Sequence, residues 1–452
     1  MPASGVSPDV VYAKIGRRLL PLLLLCYIVA FLDRVNVGFA KLQMTTELGW
    51  SDAVYGFGAG IFFVGYFLFE VPSNVLLERV GARRWIARIM ITWALVSGAF
   101  AFVDVIPWGP LPAWFGLEST VFGFYALRLL LGMAEAGFFP GIVLYLTYWY
   151  PVPRRARSYA RFMTAVAIAN VVGAPLSGWI MEAFDGQGGW AGWRWLFVLE
   201  SVPSLLMGFV VWFRLPDGPA HARWLTESET AVVQHDLATD AAKAPRERAE
   251  TSLRAALTSS VVWRLAFVYF TSAVALYGVN FWMPTIIQEL GIPSRAYLTV
   301  GLLSMVPWGV AGVGMLWWGA HSDRHGERRW HVAGALLCTA AGLLLLMLVE
   351  GQIAMSLLAL AVVATGVLSA MSTFWSVPTE FLRGSAAAAG IAWINSIGNL
   401  GGHFGPDLIG RVRTATGSGQ SALLMLAGVA TAGALVTLFT VKSVVVTEKV
   451  AD

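Results

Sequence analysis

The sequence predicts an all-α integral membrane protein with twelve transmembrane helices in two pseudo-symmetric six-helix bundles. Three observations carry that prediction. Of the 452 residues, 57% are hydrophobic and 13% charged, with a mean hydropathy of +0.67. A water-soluble chain of this length could not hide so much apolar surface behind so few charges. Apolar runs of roughly 20 residues, the length that crosses a bilayer core, recur along the chain. One loop pattern also occurs twice, at matching places in the two halves.

Taken in order, the apolar runs place helices at about 16–40, 53–77, 85–103, 121–148, 157–183 and 194–214, then 264–289, 299–319, 331–350, 353–378, 385–410 and 420–441. Lys14, Arg17 and Arg18 precede the first run, which resembles a signal peptide. No small-residue cleavage site follows, and the run ends at Asp33 and Arg34, so it reads as a retained first helix. Residues 1–214 form the expected N-terminal six-helix bundle and 264–452 the C-terminal one. Between them, 215–263 reads as a linker, helical in part at best, with Pro216, Pro219 and Pro245 among mixed charges that include Arg246 and Arg248.

Basic residues set the expected orientation. Arg79, Arg83 and Arg84, then Arg154, Arg155 and Arg157, then Arg324, Arg328 and Arg329 fall in alternate loops, whereas residues 104–120 contain neither Lys nor Arg. The positive-inside rule then puts both termini and the linker in the cytoplasm. The formal charge of +4 is therefore topological and points to the lipid bilayer, not to nucleic acid. Cys26 and Cys338 sit inside apolar runs, as packing residues do. His321 and His325 flank Asp323 in a loop whose first copy has Leu76 and Val80 there, so no metal site and no cofactor is expected. Phosphate-loop, zinc-protease and nucleophile-elbow motifs are absent from the sequence, which argues against an enzyme.

The repeated loop reads Glu78-Arg79-Val80-Gly81-Ala82-Arg83-Arg84 in one half and Asp323-Arg324-His325-Gly326-Glu327-Arg328-Arg329 in the other. A carboxylate beside arginines, with glycine for the tight turn, suits a charge lock that forms in one access state and breaks in another. Glu78, Arg79, Gly81, Arg83, Asp323, Arg324, Gly326 and Arg328 are the expected gating residues. Matching loops in two six-helix halves point to a carrier whose site lies at the bilayer midplane.

These loops resemble the signature loop of the major facilitator superfamily, closely in the second copy and with Asn74 and Glu78 as substitutions in the first. That variation is similar to the anion:cation symporter branch. So are Phe31-Leu32-Asp33-Arg34-Val35-Asn36, Glu70-Val71-Pro72-Ser73-Asn74, Glu135-Ala136-Gly137-Phe138-Phe139-Pro140-Gly141, Phe374-Trp375-Ser376-Val377-Pro378 and Asn395-Ser396-Ile397-Gly398-Asn399. The resemblance implies the major facilitator fold and uptake of small organic carboxylates with protons by alternating access, with the chain working as a monomer. Tartrate-like hydroxy acids lead among the substrates. Aromatic-acid or sugar-acid uptake is the alternative, and drug efflux, suggested by Gly173-Ala174-Pro175-Leu176-Ser177-Gly178, is a weaker one.

Charges inside apolar runs locate the expected site, because each costs about 2.5–3.5 kcal/mol to insert. Asp33 and Arg34 lie deep in the first helix. Arg128 and Glu135, seven residues apart, point the same way about 10 Å apart, with Gly132 leaving room between them for a neighbour or a ligand. One reading makes them structural ion pairs, Asp33 with Arg128 or Arg34 with Glu135. The other gives Arg34 and Arg128 to the substrate carboxylate and has Asp33 and Glu135 take up protons, all facing one shared cavity. The family implies the same division of labour. Tyr66, Tyr277, Ser372, Trp375 and Asn395 are the expected uncharged contacts to substrate, and Glu70 is expected to gate.

Overall fold

The computed structural model describes residues 7–243, 258–349, 351–381 and 385–441. Pro245, Arg246, Arg248 and the side chain of Arg157 lie outside the described residues. Within them no β-strand occurs. The first half comprises α1 (Pro8–Val35), α2 (Val37–Glu47), α3 (Asp52–Val80), α4 (Ala82–Ala99), the short α5 (Leu111–Trp114), α6 (Ser119–Glu135), α7 (Phe138–Thr147), α8 (Val152–Ala183) and α9 (Gly192–Arg214). After α10 (Glu227–Lys243) the second half follows as α11 (Ser260–Gln288), α12 (Tyr297–His325), α13 (Arg329–Leu348), α14 (Ile353–Phe374), α15 (Ser376–Phe381), α16 (Ser385–Asn399), α17 (Gly401–Thr416) and α18 (Gly419–Thr440).

Eleven helical stretches among the described residues are long and apolar enough to cross a membrane. The remaining expected span, 385–410, is covered by α16 and α17. Several spans are helix pairs rather than single rods. α1 and α2 join almost without interruption at Asn36, whose backbone is helical at φ −57° and ψ −29°. α6 and α7 separate at Ala136 and at Gly137, where φ is +85°. A side chain at Gly137 would be strained by that left-handed backbone, and its Cβ would meet Ser73 Oγ at 2.3 Å.

Small residues decide which helices touch. A Cβ on Gly132 would lie 1.9 Å from the Phe62 carbonyl oxygen, so the gap expected at Gly132 is filled by the backbone of α3. First-half and second-half helices meet along two such seams. In one, Gly56 of α3 approaches the Pro406 carbonyl of α17, with a Cβ-to-oxygen separation of 2.4 Å. In the other, Gly178 of α8 and Gly301 of α12 approach the carbonyls of Tyr297 and Ala174, at 2.3 and 2.4 Å. Lipid gives helices no hydrophobic reason to associate, and close backbone packing over small residues supplies one. The Gly173-to-Gly178 stretch, expected as a partial efflux motif, is one side of that second seam.

Within the linker, Glu227–Lys243 form α10. α10 docks on the first half through Lys14 to Glu229 at 2.7 Å, Tyr12 to Asp236 at 3.1 Å and Arg155 to Asp240 at 3.6 Å. The hydrogen bond from Lys14 holds the Glu229 carboxyl below the usual carboxylate range.

Candidate functional site

In the last turn of α1, Arg34 is 7% exposed and reaches across to Glu135, 2% exposed, at the end of α6. Its Nε donates to Glu135 Oε1 at 3.1 Å, and its Nη2 makes a closer contact with the same oxygen. The third donor, Nη1, reaches the Tyr277 hydroxyl of α11 at 3.4 Å, so the guanidinium touches both halves of the chain. The rings of Phe62 and Tyr66 flank it, with centroids 5.4 and 5.6 Å away. Arg34, Glu135, Tyr66 and Tyr277 thus lie together, with the Arg34 guanidinium taken up by Glu135. A pair this deep is held against a desolvation penalty of several kcal/mol per ion, so either charge left alone would be strongly unfavourable.

Arg128 takes a different course. It is 1% exposed and donates to backbone carbonyls of α3, Ala59 at 2.7 Å and Gly58 at 3.3 Å. It shares the Phe62 ring with Arg34, lying 5.1 Å from the centroid. Asp33 turns away from all three. It accepts hydrogen bonds from Trp93 Nε1 at 3.1 Å, from Ser97 Oγ at 2.9 Å and, more closely, from Ser204 Oγ. Its surroundings are therefore α4 and α9, and neither arginine is its partner. The pairing of Asp33 with Arg128 weighed from the sequence does not form.

Sequence reasoning passed over Glu200, which sits in the middle of α9 and is 3% exposed. Ser177 of α8 donates to its Oε1 at 2.7 Å. The signal was present: a lone carboxylate inside an apolar run, the same clue that marked Glu135.

In the second half, Asn395 Nδ2 donates to Glu70 Oε1 at 3.1 Å, joining α16 to α3 one helical turn beyond Tyr66. Trp375 packs edge-on against Tyr269 with centroids 4.8 Å apart. Ser372 is exposed and bonds the carbonyl of Ser369 in its own helix at 3.1 Å.

Fold and site can now be set against known proteins. The profile of the Major Facilitator Superfamily matches residues 23–406. The chain belongs to this superfamily. It is a multi-pass membrane transporter, not an enzyme. A protein of Agrobacterium vitis named for tartrate transport is 48% identical over 433 residues, which is 96% of this chain and 92% of that one. The quinolone resistance transporter of Acinetobacter baumannii is 39% identical over 420 residues, 93% of this chain and 92% of its own. In structure, a bacterial homologue of the human lysosomal transporter Spinster superposes with a TM-score of 0.70 at 16% identity, covering 97% of this chain and 96% of that one. The last likeness shows the fold.

Within the transporter, the two loop copies make local contacts. The backbone N–H of Arg83 donates to Asp217 Oδ1 at 2.9 Å, at the start of the linker, and a Cβ on Gly81 would lie 2.9 Å from the same oxygen. Asp323 pairs with Arg328 at 2.7 Å within its own loop, and Gly326 takes the left-handed cap of α12. Glu78, Arg79 and Arg324 are exposed. The charge network that joins the halves lies at the opposite end of the molecule. There Arg413 of α17 binds Asp52 of α3 at 2.8 Å and makes a closer contact with Glu289, while Lys41 binds the other oxygen of Asp52 at 3.0 Å. Lys41 and Arg413 also lie over the Trp282 ring, at 4.5 and 5.1 Å. Nothing in the sequence marked this lock, because its charges look like ordinary helix-end residues.

Proposed function

We propose that the protein is a proton-coupled symporter importing a small organic anion, most simply a tartrate-like hydroxy acid, by alternating access. The observation that carries this is the Arg34–Glu135 pair, buried at the middle of the bundle and shared with Tyr277. Arg34 offers a planar fork suited to a carboxylate, and Glu135 already occupies it. A proton on Glu135 releases the fork, and a substrate carboxylate takes the vacated place. Anion and proton therefore enter together and the site stays neutral throughout. Arg128 adds a second fixed positive charge beside Phe62, and Asp33 takes up a second proton among its three donors. Tyr66, Tyr277, Asn395, Trp375 and Ser372 set specificity. The relative named for tartrate transport supports the substrate class.

In this reading residues 1–214 and 264–452 are the moving bodies, 215–263 ties them on the cytoplasmic side, and the chain works as a monomer in a bacterial inner membrane. The halves rock about the two glycine seams. The Arg413 network closes the periplasmic face, and the repeated loops with Glu70 close the cytoplasmic one.

A second reading, export of drug-like compounds, is favoured by the likeness to the quinolone resistance transporter. Uptake of labelled tartrate into proteoliposomes with an imposed pH gradient separates the two. Symport predicts accumulation that collapses with the gradient, and Asp33→Asn and Glu135→Gln each abolish that accumulation while sparing part of substrate exchange. Quinolone flux against an opposed proton gradient, without tartrate uptake, would favour export. Loss of tartrate binding itself in both variants would show the acids to be structural.

A further inference from the structure

Glu200 has no part in the scheme above, yet it buries a carboxyl inside the first half at 3% exposure. It lies about 12 Å into α9 at 1.5 Å per residue. One carboxyl oxygen accepts from Ser177, and Oε2 has no hydrogen-bond partner. Beside it stands Asn36 of α1, 1% exposed, whose amide faces the carboxyl but makes no well-formed hydrogen bond to it or to any other group. The elements packed around the carboxyl bring neutral or acidic groups. α1 brings Asp33 and Asn36, α8 brings Ser177, and α9 itself brings Ser204. Lys41 of α2 is held by Asp52 at 3.0 Å, and Arg88 of α4 lies over Trp85 at 3.9 Å. Among the described residues no cation pairs with Glu200.

An unpaired carboxylate in such a place is costly, several kcal/mol even after relaxation. A carboxylic acid is not. It can donate from Oε2 to the Asn36 carbonyl and accept from the Asn36 amide, using both orphaned atoms in one acid–amide ring. The anion can use the amide N–H alone and would turn a negative oxygen toward Asn36 Oδ1. Asp33 differs in its partners, since three donors reach its carboxyl.

A route leads from this carboxyl to the seam between the halves. Ser177 also lines a cavity of about 20 Å³ together with Asn170, Gly173, Asn280 and Ser304. That is room for one water molecule, with polar groups to hold it. Asn280 of α11 donates to Asn170 of α8 at 3.1 Å across the cavity, so its far wall belongs to the other half. Separation of α8 from α11 and α12 would open the cavity and close it again on each transport cycle.

We propose that Glu200, with Asn36 and Ser177, is an additional proton-binding site of the transporter, exchanging its proton through the Ser177–Asn170–Asn280 seam when the halves part. The site takes a proton and no larger cation, since it offers a single carboxyl in place of a coordination shell. This inference rests on the proton-coupled reading and raises the number of protons moved per substrate by one.

The test uses the full-length transporter in lipid vesicles. Each co-transported proton multiplies the steady-state substrate accumulation about tenfold per pH unit of gradient. Glu200→Gln is expected to lower accumulation by about that factor and to remove a protonated-carboxyl C=O stretch from the infrared difference spectrum between high and low pH. Accumulation equal to wild type, or an infrared spectrum unchanged by the substitution, overturns the proposal. If Glu200→Gln does not fold, Ser177→Ala serves. It removes the hydrogen bond to Oε1, so the C=O band must shift in frequency, and an unshifted band also overturns the proposal. Should the wild type itself show no gradient-driven accumulation, the symport reading fails, while the infrared band still reports whether Glu200 exchanges a proton.

Discussion

The two halves share one fold and one loop motif but differ in what they bury. Among the described residues, the first half buries Asp33, Arg34, Lys41, Glu70, Arg128, Glu135 and Glu200. The second buries Asp407, which pairs one turn away with Arg411 at 2.8 Å. In place of charges it buries hydroxyls: Thr271 and Ser272 bond the carbonyl of Val268, Ser304 that of Val300, Thr339 that of Ala335 and Thr373 that of Ser369. Each of these is satisfied within its own helix, at little cost and with no commitment to a partner across the bundle. The difference teaches that duplication fixed the scaffold and left the chemistry free to concentrate. Energy is stored in one half as desolvated charge, and the other offers a surface that can be altered cheaply.

The sharpest way to break that comparison is to strip charge from the first half. Arg34→Ala leaves Glu135 buried without its cation and is expected to cost about 3–5 kcal/mol of stability, the usual penalty for halving a buried pair. The double variant Arg34→Met with Glu135→Leu is expected to recover most of that loss, because apolar side chains of similar volume avoid the desolvation term. Transport should be absent in both. Thermal unfolding of purified protein reads the first two outcomes and vesicle uptake the third. A double variant as unstable as the single one would mean that the pair is needed for folding, and that charge in this half is architecture.

How far the sequence led depends on the physics of each feature. Spans were legible because an apolar run has to match the bilayer, while their ends were not: α1 begins at Pro8 rather than near 16, since helix continues in water wherever side chains permit. The same-side placement of Arg128 and Glu135 followed from helical periodicity, and one of the two pairings considered, Arg34 with Glu135, forms. The direction of Asp33 was out of reach, because it depends on how Trp93, Ser97 and Ser204 from two other helices converge. Arg413 and Asp52 stand 361 positions apart, and no local pattern links them.

That lock offers the next comparison, between charge at the helix ends and charge in the core. Arg413 and Asp52 are partly exposed, with side-chain accessibilities of 15% and 27%, so solvent screens them. Arg413→Ala is expected to weaken closure of that end by about 1 kcal/mol, a fewfold shift toward the state open there, while leaving global stability nearly unchanged. Thiol labelling of a cysteine placed at Thr414, beside the lock, reads the shift as a fewfold faster reaction. An unchanged labelling rate would show that the glycine seams alone hold the face shut.

The smallest effect is expected where the second half touches the charged site. The Tyr277 hydroxyl meets Arg34 at 3.4 Å, the long limit for a hydrogen bond, and Arg34 keeps Glu135 without it. Tyr277→Phe preserves the ring packed at a tilt against Phe63, whose centroid lies 4.3 Å away. Stability should therefore move by no more than about 0.5 kcal/mol, and substrate affinity should fall by about twofold to fivefold, the worth of one ordinary hydrogen bond. Titration of the purified transporter with tartrate by thermal shift separates the two numbers. A loss of affinity comparable to that of Arg34→Ala would mean that the second half anchors the anion as firmly as the first, and that the division of labour between the halves is much weaker than their buried charges suggest.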